Sequence, residues 1–341
     1  MAVARRRGVH PIVLVLIGIV LIFVGYIAWE LWLRSGSSDE VIVRIPEGAS
    51  FTQILDSLES SGAISNRAAF KLLATATGDD AHIRPGTYKF ERGTASAQLL
   101  SALVEGRSTV KVKVTFPEGI TIRRMASILS RDIGIDSSEF VSLANNREFL
   151  KSVGINASTA EGYLLPDTYF LFFGEDARTL LQRLIEEFRA FYDDEMKERA
   201  KAIGLDAYDA IILASIVEGE ARVDEERPVI AGLYLNRLRR GIKLAADPTI
   251  QYMLPDGPRR ILYRDLRIDN PYNTYMYAGL PPSPINNPGR SSIRAALSPS
   301  KHDYIYMVAK ADGSGRHTFT RTGSEHDRAV REYRKRVDTS D

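Results

Sequence analysis

Two glutamates, Glu218 and Glu220, close the apolar run Ile211-Ile212-Leu213-Ala214-Ser215-Ile216-Val217. Acids are rarely fully buried, so carboxyl groups at the end of such a run invite a chemical reading. Desolvation raises a carboxyl pKa, and a general acid working near neutrality needs that rise. On a helix the two residues lie about 200° apart, since each residue turns the chain by about 100°. They face opposite ways, which makes them poor partners as the acid and nucleophile of a retaining glycosidase. The plain alternative is a pair of solvated residues at a helix end. Ser215 sits three residues before Glu218 on the same face, close enough to hydrogen-bond and orient its carboxylate.

Other chemistries find little support. The chain has no Cys, which removes disulfides, thiol catalysis and Cys-ligated zinc. His317 and His326, with Glu325 beside the latter, are too far apart for an H-E-x-x-H metal site, so no metal is expected. No G-x-S-x-G elbow and no phosphate-binding G-x-x-x-x-G-K-[ST] loop occurs, and no cofactor is expected. A net charge of +2 argues against a dedicated nucleic-acid binder. Asp247-Pro248-Thr249 reads as a turn, a helix cap or part of a site. Tyr272-Asn273-Thr274-Tyr275-Met276-Tyr277 is either core or a stacking surface for sugar rings.

The elements that must position these residues follow from patterning. The 341 residues suit two or three domains, with 44% hydrophobic content and fifteen Tyr and thirteen Phe to fill a core. Arg5, Arg6 and Arg7 precede an uncharged run from Pro11 to Trp29, long enough for a transmembrane helix with the arginines on the cytoplasmic side. A cleaved signal peptide is the alternative, given the small residues Ser35, Gly36 and Ser37. An internal repeat follows. Val43-Arg44-Ile45-Pro46-Glu47-Gly48-Ala49-Ser50 is echoed by Val114-Thr115-Phe116-Pro117-Glu118-Gly119-Ile120-Thr121, each a strand pattern, a turn and a helix start. Ile83–Tyr88 and Leu164–Tyr169 repeat a second turn-to-strand element in the same order. From Glu175 the apolar spacing turns helical, with further helices expected at 208–220 and 225–240 and long ordered loops after Gly241. Residues 304–309 and 317–319 read as paired strands, and the charged tail as a final helix.

An ordered set of motifs then becomes recognisable. It comprises Ser215-Ile216-Val217-Glu218-Gly219-Glu220-Ala221, Asn236-Arg237-Leu238, Asp247-Pro248-Thr249-Ile250-Gln251-Tyr252 and Tyr272-Asn273-Thr274-Tyr275. Gly279-Leu280-Pro281-Pro282-Ser283-Pro284-Ile285, Asn287-Pro288-Gly289, His317-Thr318-Phe319 and Glu325-His326 follow. Together they closely resemble the MltG (YceG-like) family of endolytic murein transglycosylases. Gly219, Ala245, Ser283 and Asp327 depart from residues frequent in that family.

The resemblance implies an α+β chain. A cytoplasmic tail (1–10) and an N-terminal transmembrane helix (11–33) would lead through a linker (34–40) to two small LysM-like α/β modules (41–107 and 108–174). A mixed, mainly helical catalytic domain with a small sheet (175–341) would follow. The protein would sit in the cytoplasmic membrane as a single-pass protein, N-terminus inside, acting on peptidoglycan glycan strands and working beside peptidoglycan synthases. The family's catalytic glutamate maps onto Glu218. Glu220, Asn236, Asp247, Thr249, Gln251, Tyr252, Tyr272, Asn273, Tyr275, His317 and Glu325 are the implied cleft residues. Glu218 would protonate the leaving glycosidic oxygen and then take the proton of the sugar's own C6 hydroxyl, closing a 1,6-anhydro ring. An intramolecular nucleophile removes the need for a second carboxylate. A hydrolytic muramidase using Asp247 as base, and a non-catalytic glycan-binding scaffold, are the competing readings.

Overall fold

In the computed structural model, which describes residues 11–33, 37–46, 48–108, 110–254 and 259–338, strand Glu40–Ile45 alternates exposed and buried side chains. It pairs antiparallel with strand Gly86–Glu91, Val43 opposite Tyr88. Ser50 then caps helix Phe51–Ser60 through a reciprocal bond with Gln53, as the Ser-x-x-Gln spacing demands. Asn66 caps the next helix, Arg67–Thr77. Strand Gly86–Glu91 closes a strand–helix–helix–strand unit whose core holds Val43, Leu58, Phe70 and Phe90. The second repeat runs strand Lys111–Thr115, helices Ile122–Ile133, Ser137–Ala144 and Arg147–Ser152, then strand Thr168–Phe172, which pairs with the first.

The chain divides into two compact units. One comprises Met1–Val114, Leu129–Ile135 and Phe170–Asp176; the other comprises Thr115–Ile128, Asp136–Tyr169 and Ala177–Asp341. Much of the second repeat therefore packs in the same unit as Glu218.

That unit is built around helix Ala207–Glu220. Its residues from Ala210 to Val217 are all buried, so it is apolar on every face rather than amphipathic. Helices Arg227–Arg239 and Arg290–Leu297 pack against it. Pro228 starts the former at a position where its missing N–H costs nothing. Helix Ala177–Phe191 turns Leu180, Leu184 and Phe188 inward, the last joining the core of this unit. Strands Tyr306–Ala309 and His317–Thr320 form the expected hairpin, Ala309 opposite His317, and helix Gly323–Asp338 ends the described chain. Two short helices, Asp247–Met253 and Arg290–Leu297, fall where sequence patterning suggests loops.

The expectation of a single-pass membrane protein over 11–33 is corrected. No helix among the described residues is long and apolar enough to cross a membrane. The regular helix Pro11–Ala28 has 18 residues, about 27 Å at 1.5 Å per residue, against a hydrocarbon core of about 30 Å. The chain then continues as a π-helical segment, Trp29–Leu33. The cytoplasmic tail read at 1–10, with its three arginines, lies outside the described residues.

One buried side chain ties distant segments of the second unit together. Asn287 accepts from the Gly162 and Leu164 N–H groups (2.8 and 3.1 Å) and donates to the Ile120 carbonyl (3.0 Å) and to Glu161 Oε1 (2.7 Å). Both amide donors and both carbonyl lone pairs are used. Replacing Asn287 by Ala leaves several buried groups unpaired, and we expect a loss of about 3 kcal/mol in urea unfolding. A loss below about 1 kcal/mol would contradict this account of the seam.

Candidate functional site

The two glutamates at the end of the central helix do face opposite ways. Glu218 Oε2 accepts a hydrogen bond from the Gly289 N–H (2.9 Å) and pairs with Arg227 Nη1 (3.3 Å). Its side chain is only 7% exposed. Arg227 also reaches Asp224 (2.9 Å), the Ser292 hydroxyl and, through Nη2, Glu118 Oε2 at 3.6 Å. Glu220 turns to the other side, where the Tyr234 hydroxyl donates to its Oε1 (2.6 Å). Burial pushes the Glu220 carboxyl up to about 7, against the pull of Tyr234.

Glu220 lines a cavity of about 1310 Å³, with Glu161, Asp247, Gln251, Tyr275 and His317 also in its wall; Glu218 does not line it. Asp247 accepts from the Tyr275 hydroxyl (2.5 Å). His317 is fixed by buried Glu226: the ring Nδ1 lies 2.8 Å from Oε2, and the backbone N–H donates to both carboxylate oxygens (2.9 and 3.1 Å). Gln251 clamps the backbone of Arg259 with both ends of its amide, and Tyr252 packs on Tyr272 at 5.0 Å. Polar and aromatic walls of this kind suit a sugar chain, which offers hydroxyl and acetamido groups to bond and apolar ring faces to stack upon.

Other expected cleft residues serve the scaffold. Ser215 is fully buried, donating to the Ile212 carbonyl (2.7 Å) and accepting from the Ile285 N–H (3.1 Å), so its hydroxyl does not orient Glu218. Asn236 staples the carbonyls of His302 and Tyr304. Thr249 bonds Ala246 and Thr274 in the interior. Asn273 holds the carbonyls of Leu266 and Ile268, and the Tyr272 hydroxyl meets Ser283 at 2.6 Å. Glu325 accepts from the Arg321 and Thr322 N–H groups (2.9 and 3.2 Å), capping the last helix at the surface.

Two of the four departures, Gly219 and Ser283, acquire local reasons. A Cβ on Gly219 would sit 2.5 Å from the Pro248 ring, so the bare backbone lets helix Asp247–Met253 approach. Ser283 supplies the hydroxyl that Tyr272 meets. Ala245 holds a positive φ of 46°, uncommon for a residue with a Cβ.

Sequence patterning overlooks five functional candidates: Glu118, Glu161, Glu226, Arg227 and Asn286. Glu118 belongs to a Pro-Glu-Gly that reads as a turn, and Arg227 precedes a proline at a helix start. Asn286 donates to the Ser215 carbonyl (2.9 Å) and lines the cavity. Glu161 is buried, accepting from the Ile122 N–H (3.0 Å) and Asn287. Burial pushes it up to about 8, against these donors.

Glu161 and Glu220 thus both hold protons more tightly in the folded protein than in the unfolded chain, where a glutamate titrates near about 4.3. Their contribution to stability is complete below that pH and is lost as pH rises through about 7 to about 8. We expect the urea midpoint to fall from pH 5 to 8.5, and Glu161→Gln to flatten that fall. An unchanged slope in the variant would count against a protonated Glu161.

The YceG-like family model matches residues 43–332. An endolytic murein transglycosylase of Bacillus subtilis is 29% identical over 319 residues, covering 88% of this chain and 87% of the relative. An endolytic murein transglycosylase of Streptococcus pneumoniae serotype 2 is 27% identical over 91% of this chain, which spans 62% of that longer protein. A crystal structure of a yceG-like protein from Listeria monocytogenes superposes with a TM-score of 0.59 at 28% identity, covering 86% of this chain and 99% of that one. The chain belongs to the YceG-like family.

Proposed function

We propose that this protein is an endolytic lytic transglycosylase that cuts the glycan strands of peptidoglycan. The observation that carries the reading is the match to the Bacillus subtilis relative of that name, which runs over nearly the whole of both chains. The wide polar and aromatic cavity at the end of the central helix supports it.

Glu218 is the catalytic carboxyl group in this reading. A proton passes from it to the oxygen leaving C1 of N-acetylmuramic acid as the C1–O4 bond breaks. The C6 hydroxyl attacks C1 and returns its proton to the carboxylate, leaving a 1,6-anhydro end. No water is consumed and the protein finishes as it began. The nucleophile is held on the same ring as its target, so the step has a large effective concentration. Two LysM-like modules at 41–107 and 108–174 would hold the strand. The strand–helix–helix–strand order of 40–91 and the matching strand–helices–strand order of 111–172 support that part of the reading. Synthases extending the same nascent strand are the proposed protein partners.

A second assignment of the acid has one specific observation in its favour. Glu220, not Glu218, lines the cavity, and burial already brings it up to about 7. Comparing Glu218→Gln with Glu220→Gln on isolated strands decides between them. We expect Glu218→Gln to cut release of anhydro-ended fragments at least about 100-fold, within the range for loss of a general acid. Glu220→Gln should retain substantial activity. Mass spectrometry that finds reducing ends from the wild type would overturn the transglycosylase reading itself.

A further inference from the structure

The cavity wall carries more positive charge than a neutral sugar chain calls for. Besides Arg123 and Arg237, it includes Arg222, Lys310 and Arg316, all of them in the second compact unit. Arg237 is committed to the fold, donating to the carbonyls of Ile305 (2.6 Å) and Leu244 (2.5 Å). Arg222, Lys310 and Arg316 are exposed, and they gather at one end of the cavity, where the hairpin turns.

The backbone brings these three together. Ala309 stands opposite His317 in the hairpin, and the Lys310 N–H donates to the Arg316 carbonyl (2.8 Å), which carries the ladder one step further. Lys310 and Arg316 are therefore cross-strand neighbours, a placement in which like charges repel. The turn that joins them lies against Arg222. Gly315 holds a φ of 69°, and a Cβ built on it would stand 3.1 Å from the Arg222 Cβ. Glycine thus serves both the left-handed turn and the close approach. Acids nearby are engaged elsewhere: Glu225 with Arg316 (3.0 Å), Asp312 with the Ser314 N–H (3.0 Å) and Glu220 with the Tyr234 hydroxyl. The side chains of Arg222 and Lys310 form no ion pair and no hydrogen bond among the described residues. Two free cations beside a third, held on a rigid hairpin at the wall of a cavity, form a ready seat for carboxylate groups.

We propose that Arg222, Lys310 and Arg316 form a subsite for the carboxylates of the peptide stems on the strand being cut. The inference rests on the transglycosylase reading above. The alternating N-acetyl sugars of such a strand carry no charge once the lactyl group of muramic acid is amide-linked to its peptide. Its anionic groups are the free carboxylates of those peptides, so cations in the wall distinguish a strand that bears stems from a bare one. Exposed charges of this kind act on capture of the strand and leave the bond-breaking step to the carboxyl group at the helix end.

The test compares KM and kcat of the whole protein on two preparations of the same glycan strands, one with its stems and one stripped by an amidase. Fragment ends are read by mass spectrometry. The wild type should show a KM at least about fivefold lower on stem-bearing strands, the size that two exposed ion pairs supply. Raising the salt concentration should shrink that preference, and amidating the stem carboxylates should abolish it. Arg222→Gln combined with Lys310→Gln should bring the two KM values within about 1.5-fold of each other, with an unchanged melting temperature. Lys310→Gln alone should give an intermediate ratio, and it serves as the reading should the double variant not fold. Equal KM values for the wild type, a variant that keeps the wild-type ratio, or a preference that survives amidation would overturn the subsite. A wild type that cuts neither preparation, or that leaves reducing ends, would instead overturn the underlying reading.

Discussion

The buried amide of Asn287 is the constraint on which the site depends. It joins the segment at Ile120, the turn at Glu161–Leu164 and the loop that leads to Gly289. The first carries Glu118 to the guanidinium that pairs with Glu218, the third carries the Gly289 N–H to Glu218 itself, and the second carries Glu161 into the cavity wall. A fully satisfied buried network of this kind is stiff, because every alternative arrangement leaves a polar group without a partner. Regions far apart in the chain are thereby held at hydrogen-bond precision.

Two different solutions to the cost of burying acid flank the end of the central helix. On one side Glu218 and Glu118 lie against Arg227, so opposite charge offsets desolvation. On the other, Glu220 is met by a neutral phenol, Tyr234, and burial favours its protonated form. In the cavity wall Asp247 also accepts a hydrogen bond from a phenol, that of Tyr275. One helix end thus presents carboxyl groups in two electrostatic settings, separated by the 200° or so that two helical steps impose.

Much of the fold is legible along the chain. The Ser50–Gln53 spacing specifies a helix start, and the structure begins helix Phe51–Ser60 there. The apolar run ending at Val217 marks the central helix, and the strand patterns at 304–309 and 317–319 mark the hairpin. These signals are local: a cap, a period, a turn. The helices Asp247–Met253 and Arg290–Leu297 carry weaker local signals, since prolines and glycines crowd their flanks and tertiary packing decides their state. The N-terminal apolar run shows the limit of composition. It counts residues without showing where regular helical bonding stops, which here is Ala28.

For the site, residue types and order alone determine the family resemblance, the position of two acids at a helix end and their opposite facing, because helical geometry follows from spacing. Tertiary structure alone decides which polar groups meet. It spends Ser215, Asn236, Thr249 and Asn273 on interior carbonyls and amides, sends Glu325 to cap a surface helix, and brings Glu118 and Arg227, 109 positions apart, to one guanidinium contact. The physical reason is that a hydrogen bond or ion pair depends on distance in space. Sequence encodes that distance within a helix turn or a tight turn, and beyond it only the packed core does.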